Sequence, residues 1–483
     1  MNKRICRAAA LLLSALLMLG LLTGCGIIII HRHGTPETTE TAGPGPVGPE
    51  TTGDKPVTPH HLEIKDYSPD AKAYLASLGT ANYDGKGFIV ATAGADGSDS
   101  TSLAAAVYSR NKAVEGAFGI SLLFIDSDEA TLAEKLREAD ASDLYYADLL
   151  DVPAAAVAPL AAEGLLGNLL ALPFVHPDAG YFNPTSVDAF TVGETLWAIA
   201  GQATLDADLL PALYFNRQTF SDAGLEMPYT AVYDGTFTWD TLFAMTETLR
   251  ASGAGVNVSV SAEDGADAVF TAAGGRFTTR SAENVPVLGV AAASLDETRI
   301  SVVRRLLDLP QYVGGGERDA FFEDDQILFL FDTLAAGTGR GTSATKWGLL
   351  PMPALTESDA VHPYRSLLPS SAHVYAAPKN NSGATLTGRV LSGLNAASYG
   401  VLLTAEAAGR SDRDFRDLDS EYMFVEIGFG AAYDFTSGLA ANDAVLPGLV
   451  RGLVRRSAAG EDLAELLGSD ADAINKRLAS FVP

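Results

Sequence analysis

Residues 212–242 read ALYFNRQTFSDAGLEMPYTAVYDGTFTWDTL, and two kinds of structure meet in them. Leu213, Tyr214 and Phe215 are bulky, strand-favouring residues behind Pro211, and Asn216 and Arg217 end the run with polar side chains. The pattern predicts a short buried strand ending at a polar site. From Arg217 to Ala223 the spacing turns helical, Gly224 stops it as a C-terminal cap would, and Pro228 prevents its resumption. Thr238 then offers an N-cap oxygen to a helix running from about Trp239 to Leu249, with Leu242, Phe243 and Met245 at helical spacing. The predicted order is strand, short helix, irregular loop, long helix.

These residues in this order resemble the extracellular solute-binding proteins of ABC importers, in particular the family-1, carbohydrate-type branch. Members carry a tyrosine-asparagine strand end, here Tyr214 and Asn216, and an alanine-glycine-leucine turn with a nearby proline, here Ala223, Gly224, Leu225 and Pro228. A threonine-tryptophan-aspartate helix start follows, here Thr238, Trp239 and Asp240. The resemblance implies an α/β, two-lobe, periplasmic-binding-protein-like (type II) fold, with a ligand cleft between discontinuous domains and the 213–216 strand as the first crossing between lobes.

The amino terminus carries Lys3, Arg4 and Arg7 ahead of an apolar run, Ala8 to Leu22, the layout of a secretory signal over residues 1–24. Its end, Leu22-Thr23-Gly24-Cys25, matches the bacterial lipobox, so Cys25 is expected to be the lipidated mature N-terminus. Cys6 falls in the removed segment, which leaves no disulfide partner in the mature chain. Acyl chains on Cys25 would hold the protein to the outer face of the cell membrane, at roughly 0.8 kcal/mol per buried methylene. Residues 25–61 are rich in Thr, Pro, Gly and Glu, a composition that predicts a disordered tether, because too little apolar surface is present to offset chain entropy. His31, His33, His60 and His61 are scattered within it and are not read as a metal site.

The rest of the chain is long enough for two packed lobes. Sixty acidic side chains against 33 basic ones give a formal charge of −27, which disfavours nucleic acid or anionic lipid as a partner. Strand-like Phe88 to Ala91, a helix from Ser102 to Phe118, a strand from Ile120 to Ile125, a helix from Ala130 to Glu138 and a strand from Asp143 to Ala147 alternate as in a parallel sheet covered by helices. No GxSxG, HExxH, Walker A or dinucleotide fingerprint occurs, so no enzyme reading gains support and no cofactor is implied. The glycine-rich run 337–346 has the wrong spacing for a phosphate loop and is read as a connector. Asp412, Asp414, Asp417 and Asp419 lack the glycine and terminal glutamate of a calcium loop and are read as helix-capping and ion-pairing residues.

Arg110 to Ile120 and Arg413 to Met423 resemble clostridial-type lipoprotein members of the family, and Trp347 to Pro353 resembles the family's strand ending in a leucine-proline-methionine-proline turn. The resemblance implies one lobe of residues 62–210 plus 346–397 and a second of 214–332 plus 398–483. Trp197, Trp239 and Trp347 read as core residues. Candidate ligand contacts are polar residues expected on loops after strands: Asp96, Asp99, Tyr146, Asp148, Asn216, Arg217, Ser370, Ser371 and His373. The resemblance implies a sugar or oligosaccharide as the ligand, and with aspartates and few cations among these residues an uncharged polyhydroxylated solute is expected. A monomer delivering it to a membrane permease is the expected arrangement. A surface lipoprotein that keeps the fold for adhesion or sensing is the alternative, and permease genes beside this one would decide between them.

Replacing Cys25 with Ser is expected to release the protein from membranes or to leave its signal uncleaved. Unmodified Cys25 found by mass spectrometry inside a longer mature chain would contradict the assignment.

Overall fold

A computed structural model describes residues 64–481 apart from 94–100, 256, 261–264, 342–345 and 416. The signal segment, Cys25, the tether, Asp96 and Asp99 lie outside the described residues. Eight strands build two four-stranded sheets: β1 (Lys86–Ala93), β2 (Ile120–Ser127), β3 (Leu149–Pro153), β4 (Pro211–Asn216), β5 (Val258–Val260), β6 (Phe329–Thr333), β7 (Trp347–Leu350) and β8 (His373–Ala376).

The first sheet has the order β8-β3-β1-β2. β1 is parallel to both neighbours, and β8 runs antiparallel to β3. Phe88, Val90 and Ala91 of β1 are fully buried, as expected of a parallel strand covered on both faces. The register sets Ala93 opposite Ser127, and His373 opens β8 opposite Pro153. The carboxyl ends of β1, β2 and β3 and the start of β8 therefore share one edge. Asp128 caps the helix Glu129–Ala141 by accepting from the Thr131 amide at 2.8 Å, and the helix Ala384–Ser398 packs on the helices Ser68–Ser77 and Thr101–Phe118.

The third strand departs from the expectation of 143–147. Asp143 takes a left-handed φ of 54° just after the preceding helix, so the chain is still turning there. Leu149, Leu150 and Val152, all fully buried, form the strand instead.

The second sheet has the order β7-β4-β6-β5, with β4 antiparallel to both neighbours. Every residue of β4 is buried. Asn216 ends the strand and caps the helix Arg217–Asp222 by accepting from the Thr219 amide at 3.1 Å. Thr238 caps the helix Trp239–Ala251 in the same way through the Thr241 amide at 3.2 Å, and that helix buries Trp239, Leu242, Phe243 and Leu249. The strand and the two flanking helices are thus realised as read, but the stretch expected as an irregular loop holds a further short helix, Tyr229–Tyr233, which Pro228 starts rather than prevents, since proline is tolerated where a helix begins. Trp239 and Trp347 are core residues, and Trp197 is half-buried against the core.

Two segments lie elsewhere than the expected lobe boundaries place them. β7, expected with the first lobe, pairs with β4, because the Trp347 indole packs edge-on against Tyr214 and Phe322, each at 5.4 Å between ring centroids. The helix Val401–Arg410, expected with the second lobe, packs on the helix Thr101–Phe118. Within the acidic run, Asp417 caps the helix Leu418–Phe429 through the Ser420 amide at 2.7 Å and pairs with Arg217 at 3.3 Å, and Asp414 pairs with Arg413 at 2.7 Å. The closing helices Leu446–Ala458 and Leu463–Ala479 pack respectively on the helix Gly265–Ala272 and on the strand Pro286–Leu288. Buried Asp267 fastens the first of them through Arg455 at 2.6 Å and Arg451 at 3.4 Å. Among the described residues no helix is long and apolar enough to cross a membrane.

Candidate ligand-binding site

The short segment 431–436 brings four parts of the chain together. Ala431 and Ala432 pair in parallel with Ser366 and Leu367, and the Ser366 hydroxyl donates to the Pro211 carbonyl at 2.9 Å, where β4 begins. The Asn183 side chain, which caps the helix Pro184–Phe190, donates to the Ala431 carbonyl at 2.7 Å. The Tyr433 amide donates to the Thr185 hydroxyl at 2.8 Å, and the Tyr433 hydroxyl donates to the His373 carbonyl at 3.1 Å. Asp434 accepts from the amide and hydroxyl of Thr436 at 2.9 and 2.7 Å and from those of Thr278 at 3.4 and 3.3 Å. Thr278 opens a hairpin in which Thr278–Arg280 pairs antiparallel with Pro286–Leu288. Gly274, at φ 76°, makes the turn that leads into it.

A cavity of about 440 Å³ lies where these parts meet, within the size range of roughly 300–1,000 Å³ usual for small-molecule sites. Its wall carries Asp188, Arg276, Arg280, Arg365 and Asp434 together with Tyr433 and Phe435. A smaller cavity of about 140 Å³ shares Arg365 and Tyr433 with it. Arg276 pairs with Asp188 at 3.4 Å, but both side chains are more than half exposed, so the pair contributes little. Arg280 donates to the Asp188 carbonyl and lies 5.2 Å from the centroid of the Phe435 ring. Burial pulls its basicity down to about 10. Arg365 is exposed, and the protein around it, followed by the charge of Arg276, holds its pKa below the usual value. Thr271 Oγ1, Thr279 Oγ1 and Arg280 Nη1 are buried on this wall without a hydrogen-bond partner among the described residues.

The expected contacts are scattered relative to this cavity. Ser370, Ser371 and His373 stand at the edge of the first sheet, with His373 Nδ1 2.9 Å from Asp151 Oδ1, and His373 reaches the cavity wall through Tyr433. Asp148 is fully buried before β3, and its two oxygens accept from the Ile89 and Ser382 amides at 2.8 and 2.9 Å. That carboxylate belongs to the interior of the fold. Tyr146, half-buried, shares its location. Both residues precede β3 rather than follow it, which puts them a strand's length, about 17 Å, from the gathered edge. Asn216 and Arg217 close the far end of β4, engaged as a helix cap and an ion pair. The arginines and threonines of the cavity are not among the residues expected from sequence. The double glycine at 274–275 followed by alternating Thr278, Thr279 and Arg280 was the local signal for the hairpin. Arg365 had none.

No family model matches the chain, and no curated protein matches it. Among solved structures it is similar to the sugar-binding protein MalE of the phytopathogen Xanthomonas citri, at TM-score 0.52 and 12% identity, over 82% of this chain and 98% of that one. It also matches the galacto-N-biose-/lacto-N-biose I-binding protein of the ABC transporter of Bifidobacterium longum, at TM-score 0.49 and 14% identity, over 83% of this chain and 99% of that one. The likeness to the Xanthomonas protein identifies the architecture as the two-lobe, periplasmic-binding-protein-like α/β fold.

The burial of Asp148 gives an expected outcome. Asp148→Ala strips two interior amides of their acceptor and should lower unfolding free energy by about 1–3 kcal/mol per orphaned group, read from urea denaturation. A variant as stable as the parent would contradict this placement of the carboxylate.

Proposed function

We propose that the chain is the extracytoplasmic binding component of an ABC import system and that it captures a saccharide in the 440 Å³ cavity. The observation that carries this reading is the make-up of the cavity wall, where the polar side chains of Arg276, Arg280 and Arg365 stand beside the rings of Tyr433 and Phe435. Guanidinium groups offer forked donors that the hydroxyl oxygens of a sugar can accept. The rings of Tyr433 and Phe435 supply apolar surface for the C–H faces of a sugar.

The likeness of the fold to a sugar-binding protein supports the same reading. The walls of the cavity come from segments far apart in the chain, 185–189, 271–280, 365–367 and 432–435, so a change in their relative position would alter its volume. Closure around the ligand by hinge bending would then create the surface that a permease recognises. In this reading Cys25 carries the lipid that keeps the monomer at the outer face of the cell membrane, and the protein performs no catalysis.

A thermal-shift screen of the full chain in detergent against mono- and oligosaccharides, amino acids and peptides tests the proposal. A saccharide at a hundred times its Kd is expected to add about 2.7 kcal/mol of stability and to raise the melting temperature. A response to amino acids or peptides with none to any saccharide would contradict it.

A further inference from the structure

The charge on the cavity wall carries the inference further, and this step rests on the saccharide reading above. Of the two carboxylates there, Asp434 is occupied by the amides and hydroxyls of Thr278 and Thr436, and Asp188 sits on the rim beside Arg276. Arg280 has one nitrogen on the Asp188 carbonyl and another, Nη1, buried with no partner among the described residues. Arg365 has no carboxylate partner among the described residues, and the charged group acting on it is a second cation, Arg276. Three guanidinium groups thus share one cavity with two carboxylates, both of which act on Arg280, so the wall keeps a cationic surplus.

Such a cluster is self-repelling, and its distribution is unusual in a chain whose formal charge is −27. An oxyanion between the guanidinium groups relieves the repulsion and accepts from their forked donors, in pairs where the geometry allows. Beside that charge, the cavity wall carries the rings of Tyr433 and Phe435. Those two groups suit the C–H faces of a sugar ring and have no role toward a bare ion.

We propose that the ligand is an anionic saccharide, a polyhydroxylated ring bearing one oxyanion group. Its oxyanion lies against Arg365 and Arg280, and its ring lies against Tyr433 and Phe435. This reverses the expectation of an uncharged ligand, which rested on candidate loops rich in aspartate, because the structure lines the cavity with residues from other segments.

Calorimetric titration of the full chain tests it with four probes: digalacturonate, its neutral counterpart galactobiose, glucose 6-phosphate and inorganic phosphate. Digalacturonate or glucose 6-phosphate is expected to bind about ten- to a hundredfold more tightly than galactobiose, the range of one or two charge-assisted hydrogen bonds. Which of the two binds tells a carboxylate from a phosphate as the oxyanion. Arg365→Gln should erase that preference while leaving the unliganded melting temperature unchanged. Arg365→Lys, which keeps the charge, should retain most of it. Galactobiose binding as tightly as the acidic sugars, or a preference that survives Arg365→Gln, would overturn the inference and leave the saccharide reading standing. Inorganic phosphate binding as tightly as glucose 6-phosphate would overturn the role given to the ring. Failure of all three sugars would overturn both readings.

Discussion

The carboxylate of Asp434 is the constraint on which the site depends. A buried carboxylate is stable only when its oxygens are supplied with donors, and Asp434 obtains them from the amides and hydroxyls of two threonines. One of these, Thr278, belongs to the hairpin, so satisfying the charge fixes where the hairpin lies. The residues just before Asp434 are bonded to Asn183, Thr185 and His373, which ties the same segment to the helix Pro184–Phe190 and to the edge of the first sheet. The cavity is what remains between parts whose positions this one stretch determines, and Arg276 and Arg280 arrive on its wall because they flank Thr278.

The electrostatics follow from the same geometry. The acidic surplus of the chain is spread over its surface, where charges more than about 8 Å apart are largely screened at physiological ionic strength. Arg276, Arg280 and Arg365 stand on one cavity wall, and a ligand there meets this local set of charges at closer range than the rest of the chain's charge. A strongly acidic protein can in this way present a cationic site.

Much of the architecture was legible because it is local. The Asn216 and Thr238 caps need only a side-chain oxygen and an amide three residues on, and the apolar run before Asn216 is short enough to exclude a helix. The third strand was misplaced because residues 143–153 hold two apolar runs, and the left-handed turn at Asp143 that chooses between them is invisible in composition. Asp148 resembled a ligand contact because the strand was expected to end at Ala147, which would have put Asp148 on the loop after it. Its actual partners, the Ile89 and Ser382 amides, are 59 and 234 residues away. Arg365 escaped notice for the same reason. Its place is set by the pairing of Ser366 with Ala431 and by the bond from Ser366 to Pro211, neither of which leaves a mark near residue 365.

Hydrogen exchange of the full chain, with and without a saccharide that raises its melting temperature, tests most directly whether this cavity is the binding site. Slowed exchange at residues 274–280 and 431–436 is the result the account predicts, because a ligand bonded to both walls holds the hairpin against the segment that carries Asp434. Slowed exchange confined to residues 143–148 and 216–222, where the sequence alone placed the contacts, would contradict it.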